Sequence, residues 1–175
     1  MIKVFLFIII TVSSFSSKSL EVTLTQGSVK PTPIAVTNLF SSSTNFEKIG
    51  KNISSVISDN LERSGLFIPL DQKAFIQTNE SLSNQPRFED WKVIKAQHLV
   101  AGQISGSNGK ISVEFRLYDV FQQKQLVGRK YETNEKNWRR VAHIISDSVF
   151  KNITGEGGYF DTRIVYVAET GPKDN

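Results

Sequence analysis

The stretch His98–Tyr118, HLVAGQISGSNGKISVEFRLY, decides the fold because it predicts two antiparallel strands joined by a tight turn. Its second half alternates apolar and polar residues, and the apolar ones share one face: Ile111, Val113, Phe115 and Leu117. Asn108-Gly109 is a strong hairpin signal, because a type I′ turn needs positive φ at both central residues. A turn at Gln122–Lys124 and a further strand at Gln125–Glu132 are expected to extend the same sheet.

Helices and strands are predicted on both sides of this hairpin. Hydrophobic residues at three- and four-residue spacing predict a long helix over Asn45–Ser64, ended by Gly65. The other expected elements are strands at Leu20–Thr25, Ile34–Phe40 and Leu66–Leu70, the last an edge strand because of Pro69, and helices at Arg87–Ala96 and Lys136–Thr154. The order predicts an α/β fold of the α+β sandwich type, with a mixed central sheet packed by two or three helices.

Composition excludes several classes of protein. The chain has 175 residues, 39% hydrophobic and 22% charged, which argues against wholesale disorder, collagen and a polytopic membrane protein. Cysteine is absent, so a disulfide, a thiolate nucleophile and a zinc–thiolate site are impossible. The length suits a single domain that needs no covalent cross-link to fold.

Residues 1–19 have the layout of a secretory signal peptide. A short basic start precedes the nine-residue run Val4–Val12, and small residues then allow cleavage between Ser19 and Leu20. The run is too short for a membrane span, which needs about 20 apolar residues; an uncleaved anchor or a buried strand is the alternative. Without Lys3 and Lys18 the net charge falls from +4 to +2, and no basic patch suggests nucleic acid binding. The expected compartment is the periplasm.

Candidate catalytic residues are few. His143 and Asp147 are four residues apart on a predicted helix, a spacing that could orient a general base or supply half of a metal site. No catalytic, phosphate-loop or dinucleotide motif accompanies them. We therefore expect no enzyme, no catalytic residue, no cofactor and no metal. A stand-alone periplasmic enzyme or small-ligand domain stays open as an alternative, and it would need both residues to meet the glycine-rich hairpin Gly102–Gly109.

Two segments are not explained by the predicted core. Leu20–Pro33 is a strand followed by a Gly/Pro tether, and a free strand of this kind can add to the open sheet edge of a partner. An ordinary edge strand of its own sheet is the alternative. Residues 155–161 form a glycine-rich hinge, and Arg163–Ala168 after it is apolar on both faces, as in a buried strand. The chain is thus expected to stop just inside a second domain.

Four segments together resemble the amino-terminal domain of the TolB family, the periplasmic components of the Tol–Pal system. They are LEVTLTQGSVKPTPIAVTNLF at Leu20–Phe40, IGKNISSVISDNLERSGLFIPL at Ile49–Leu70, FEDWKVIKAQHLVAG at Phe88–Gly102 and WRRVAHIISDSVFKNITGEGGYFDTRIVYVAETG at Trp138–Gly171. The resemblance implies an α/β domain over residues 20–154, a hinge over 155–161 and the start of a six-bladed β-propeller over 162–175. A blade takes about 40 residues, so the expected propeller is truncated.

The resemblance also implies a scaffold without catalytic activity. Members of the family bind TolA through the extreme amino-terminal segment and Pal through the propeller, support outer-membrane integrity and invagination at cell division, and are exploited by colicins. Pal binding is doubtful for a chain without the propeller. The residues that correspond to the TolA-binding segment are Leu20, Glu21, Val22, Thr23, Leu24, Thr25, Gln26, Gly27, Ser28, Val29, Lys30, Pro31, Thr32 and Pro33.

Overall fold

The computed structural model of the chain describes residues 30–79 and 85–162. Five strands form one sheet: β1 Thr32–Val36, β2 Phe67–Pro69, β3 His98–Ser107, β4 Lys110–Asp119 and β5 Lys124–Asn134. Three α-helices accompany them: α1 Thr44–Arg63, α2 Phe88–Val93 and α3 Trp138–Thr154. Single turns of 3-10 helix lie at Gln72–Ala74 and Glu135–Asn137. The predicted order of elements is confirmed over these residues.

The sheet is mixed, with the strand order β2-β1-β3-β4-β5. β1 runs parallel to both β2 and β3, whereas β3, β4 and β5 are antiparallel neighbours. The short β2 lies at one edge, as Pro69 indicates, because a proline lacks the N–H that an interior strand would donate. The predicted α+β architecture with a mixed central sheet is therefore confirmed.

The hairpin at Asn108-Gly109 forms as the sequence predicts. Asn108 has φ 51° and Gly109 φ 74°, the positive values that a type I′ turn requires. Ser107 pairs with Lys110 directly beside the turn, and the ladder continues to His98 opposite Asp119. This long antiparallel pair fixes the register of the sheet.

One face of the sheet is covered by α1 and α3. The four apolar residues of β4 that were expected to share a face all lie in this core, with Val113, Phe115 and Leu117 at 0% exposure. The helices contribute Ile53, Ile57 and Leu61 from α1 and Val141, Ile145 and Val149 from α3. Gly65 at φ 73° and Gly155 at φ 81° follow the two helices in the left-handed conformation that ends a helix without strain.

The opposite face carries a smaller core centred on Trp91 of α2. Trp91 is 1% exposed, and its ring meets that of Phe75 at a centroid distance of 5.0 Å. The sheet supplies Ala35, Leu99, Ala101 and Tyr118 to the same cluster, and Val120 joins it from the turn after β4. Helix α2 is shorter than the predicted Arg87–Ala96, and Lys95 at φ 62° turns the chain out of the helix toward β3.

Strand β1 ends at Val36, four residues before the predicted end at Phe40. The side chain of Ser54 on α1 accounts for the difference, because its Oγ accepts a hydrogen bond of 3.1 Å from the Leu39 N–H. The same oxygen lies 2.9 Å from the Thr37 carbonyl, so α1 holds the chain that leaves the strand. Phe40 then rejoins the sheet in an isolated bridge to Gln103.

Candidate functional site

The base of the predicted partner-binding segment is built into the sheet. Thr32 donates its N–H to Leu66 O at 2.8 Å, and Pro33 O accepts from the Gln97 N–H at 3.0 Å. Both residues belong to β1, which lies between β2 and β3. Their main chain is therefore already bonded, through Thr32 to the residue before β2 and through Pro33 to the residue before β3.

Lys30 and Pro31 precede this anchor, and Lys30 is exposed. Leu20–Val29 lies outside the described residues, as do the predicted signal segment and its cleavage between Ser19 and Leu20. Thr32 and Pro33, the last two residues of the predicted segment Leu20–Pro33, belong to β1.

His143 belongs to a buried polar network between α1 and α3. Asn60 on α1 is 1% exposed, and its Nδ2 donates to His143 Nδ1 at 2.9 Å and to Ser146 Oγ at 3.0 Å. Its Oδ1 accepts from the Arg63 guanidinium at 2.7 Å. Because an amide nitrogen only donates, His143 Nδ1 is the acceptor in this contact. This histidine holds two helices together.

Asp147, one turn further along α3, does not belong to this network and bonds to the chain that follows the helix. Its two carboxylate oxygens accept the main-chain N–H groups of Phe160 at 2.7 Å and Asp161 at 3.0 Å. The hairpin Gly102–Gly109 has its own contacts, with Gly109 O accepting from the Glu135 N–H. The partners of these groups are all different: Asn60 for His143, the main chain at Phe160 and Asp161 for Asp147, and Glu135 for the hairpin. The structure does not bring the three together as the enzymatic alternative requires.

Sequence reasoning missed Asn60 and Ser146, although a signal was present. Each is a polar residue at a position of its helix where the apolar spacing predicts a buried side chain. Asn60 lies between Ile57 and Leu61, and Ser146 lies between Ile145 and Val149. A polar residue in such a position needs a buried partner.

We expect Asn60→Ala to lower the free energy of unfolding by about 1–3 kcal/mol, the range for leaving buried hydrogen-bonding groups unpaired. The substitution removes the donor to His143 and Ser146 and the acceptor of Arg63. Urea unfolding measures the change. Asn45→Ala is the matched control, because Asn45 is exposed in the first turn of the same helix. Equal midpoints for the two variants would contradict a stabilising role for the network.

The second histidine, His98, opens β3. Burial lowers the pKa of His98, and the carboxylate of Asp119 across the ladder opposes this effect. Its Nδ1 has no hydrogen-bond partner within residues 30–79 and 85–162.

Across the same ranges, no cluster of three or more acidic or histidine side chains could hold a metal ion. None of the described helices combines the length and apolarity that crossing a bilayer requires.

The predicted hinge, residues 155–161, begins at Gly155 and returns along α3. The rings of Tyr159 and Phe160 meet Phe150 at centroid distances of 5.5 and 5.8 Å. With the two hydrogen bonds to Asp147, these contacts hold the end of the segment against the helix. Arg163–Asn175, the expected start of a propeller, lies outside the described residues.

Comparison with known proteins identifies the family to which the chain belongs. A family model described as the TolB amino-terminal domain matches residues 20–126. The Tol-Pal system protein TolB of Paramagnetospirillum magneticum is 46% identical over 172 residues, which cover 97% of this chain and 38% of that protein. The protein of the same name from Pelagibacter ubique is 48% identical over 177 residues, covering 96% and 39%. The chain thus spans about two fifths of the length of these curated relatives.

A solved structure agrees on the fold. The crystal structure of TolB from Acinetobacter baumannii superposes with a TM-score of 0.64 at 23% identity, over 75% of this chain and 30% of that one. The match of the family model covers more than half of the chain, and the strands and helices described above have the arrangement of that crystal structure. The chain belongs to the TolB family, which it matches through the amino-terminal domain.

Proposed function

We propose that this protein is a periplasmic scaffold of the Tol–Pal system that binds TolA through the residues before Thr32. Membership of the family supports a role in this system. The role is to connect envelope proteins, support outer-membrane integrity and help the outer membrane follow constriction at division. It requires no catalytic group, in keeping with the structural task of the His143 network.

The observation that carries the proposal is the anchor at Thr32. The main chain pairs with β2 from Thr32 and with β3 from Ile34, whereas Lys30 is exposed only two residues before Thr32. A strand that adds to a partner needs free main-chain groups. Leu20–Thr25 has the alternating pattern of such a strand, and β1 supplies the base.

A truncated chain tests the proposal. We expect a chain that begins at Lys30 to lose binding to the carboxy-terminal domain of TolA, because the pairing strand is removed while β1 is kept intact. Isothermal titration measures the affinity. Ordering a loose segment costs about 2–5 kcal/mol of the gross interaction, so the complete chain should bind weakly to moderately.

A single substitution separates main-chain pairing from other effects of truncation. Leu24→Pro removes a backbone N–H from the proposed strand and should weaken binding, whereas Leu24→Val keeps the N–H and the β-forming character and should bind like the unaltered chain. TolA binding that survives in the chain starting at Lys30 would refute the proposal.

A further inference from the structure

A groove runs between α3 and the edge strand β5. It has a volume of about 570 Å³. Strand β5 contributes Arg129 and Tyr131, two residues apart and therefore on one face of the strand. The helix contributes residues from successive turns: Ile144, Asp147, Ser148, Lys151 and Asn152. Gly155 and Gly158, which follow the helix, also line the groove.

The groove favours a negatively charged occupant. Arg129 and Lys151 both line it, and both side chains are exposed. The acidic residue in the lining, Asp147, already accepts two main-chain N–H groups with its two oxygens. Its charge is therefore partly compensated, and the two cations on opposite walls set the preference for an anion.

Two hydroxyl groups of the lining are unsatisfied. Tyr131 Oη and Ser148 Oγ are buried and have no hydrogen-bond partner in the part of the chain that the structure describes. The Tyr131 ring stacks on Phe115 at 6.2 Å with planes 5° apart, which accounts for an aromatic ring but not for its hydroxyl. Buried polar groups normally have partners. An occupant of the groove that offers two acceptors would satisfy both hydroxyl groups.

The shape of the groove suits an extended peptide. Strand β5 has β4 on one side and, among the described strands, no neighbour on the other, so its outer main-chain groups are open to strand addition. From Ile144 to Asn152 the helical wall rises about 12 Å at 1.5 Å per residue. An extended strand of about four residues at 3.3 Å per residue has nearly the same length.

We propose that the groove between α3 and β5 binds an extended segment of a partner protein, which pairs with the outer edge of β5 and places an acidic side chain beside Arg129 and Lys151. The residues that line this groove are different from those of the proposed TolA-binding segment. In the proposed TolA complex, a strand of this protein adds to the sheet of the partner. In the groove, a strand of the partner adds to the sheet of this protein.

The probe is a capped peptide of alternating valine and threonine with a central glutamate, titrated into the complete chain at up to millimolar concentration. Amide shifts in NMR spectra should concentrate in β5 around Arg129–Tyr131 and in α3 around Ile144–Asn152. A peptide with glutamine in place of the glutamate should bind about tenfold more weakly, as expected for a lost charge-assisted hydrogen bond. Equal affinity of the two peptides, or an absence of shifts at these residues, would overturn the proposal.

Two variants separate a binding role from a structural one. Tyr131→Phe keeps the stack on Phe115 and removes an unpaired hydroxyl, so the thermal midpoint should hold or rise while peptide affinity falls severalfold. Lys151→Gln should weaken binding of the glutamate peptide, whereas Lys48→Gln, a matched change at an exposed position of α1, should not. Unchanged affinity in both Tyr131→Phe and Lys151→Gln would show that the peptide does not occupy the groove.

Discussion

Replacing Gly102 with alanine is expected to lower the free energy of unfolding by about 3 kcal/mol, at the upper end for overpacking a core. A Cβ at this position would lie 2.1 Å from Glu114 O and 2.9 Å from Phe115 Cα, both main-chain atoms of the neighbouring strand. It would also approach the Leu39 side chain at 3.0 Å. Neither strand can yield without opening the ladder between β3 and β4, which fixes the register of the sheet.

Gly128 provides the matched control in the same sheet. The nearest atom to a Cβ at Gly128 is Gln125 Nε2 at 2.8 Å, the far end of a flexible side chain that can move aside. Gly128→Ala should therefore change the free energy of unfolding by no more than about 0.5 kcal/mol. Urea unfolding of the two variants compares the sites directly. A cost for Gly102→Ala no larger than that for Gly128→Ala would show that the two strands can separate easily here.

Local patterns were sufficient to predict most of the elements. Asn108-Gly109 indicates a hairpin because the turn geometry is decided by the two residues themselves. The spacing of Ile53, Ile57 and Leu61 indicates α1 because one face of a helix must be apolar to pack on the sheet. Gly65 and Gly155 mark helix ends because the left-handed conformation suits glycine.

Contacts between distant parts of the chain could not be predicted in the same way. Asn60 and His143 are 83 positions apart, and their hydrogen bond exists only because α1 and α3 pack side by side. The four-residue spacing suggests that Asp147 acts together with His143. In the structure, Asp147 instead accepts hydrogen bonds from the main chain of Phe160 and Asp161. A four-residue spacing on a helix predicts which side chains share a face, but it does not predict which other element packs against that face. The groove beside β5 was missed for the same reason, since its two walls are separate elements.

Truncating Trp91 is expected to be the most damaging change on the opposite face of the sheet. Trp91→Ala should lower the free energy of unfolding by about 3–5 kcal/mol, the range for deleting a buried aromatic side chain. A domain is stable by only about 5–15 kcal/mol, so a large share of the stability would be lost. The short helix α2 presents only Phe88 and Trp91 as buried residues, and it has few other means of staying on the sheet.

The Trp91 side chain also links α2 to the loop that precedes it. Its Nε1 donates to Gln77 Oε1 at 3.1 Å, and the same oxygen accepts the Arg87 N–H at 2.9 Å. Trp91→Phe keeps most of the ring contact with Phe75 but removes this donor, so its cost should be clearly smaller than that of Trp91→Ala. Urea unfolding followed by far-ultraviolet circular dichroism measures both variants without relying on the deleted fluorophore. If Trp91→Ala cost less than about 1 kcal/mol, the typical effect of a point substitution, this face of the sheet would not depend on α2, and the stability of the fold would rest on the α1–α3 side.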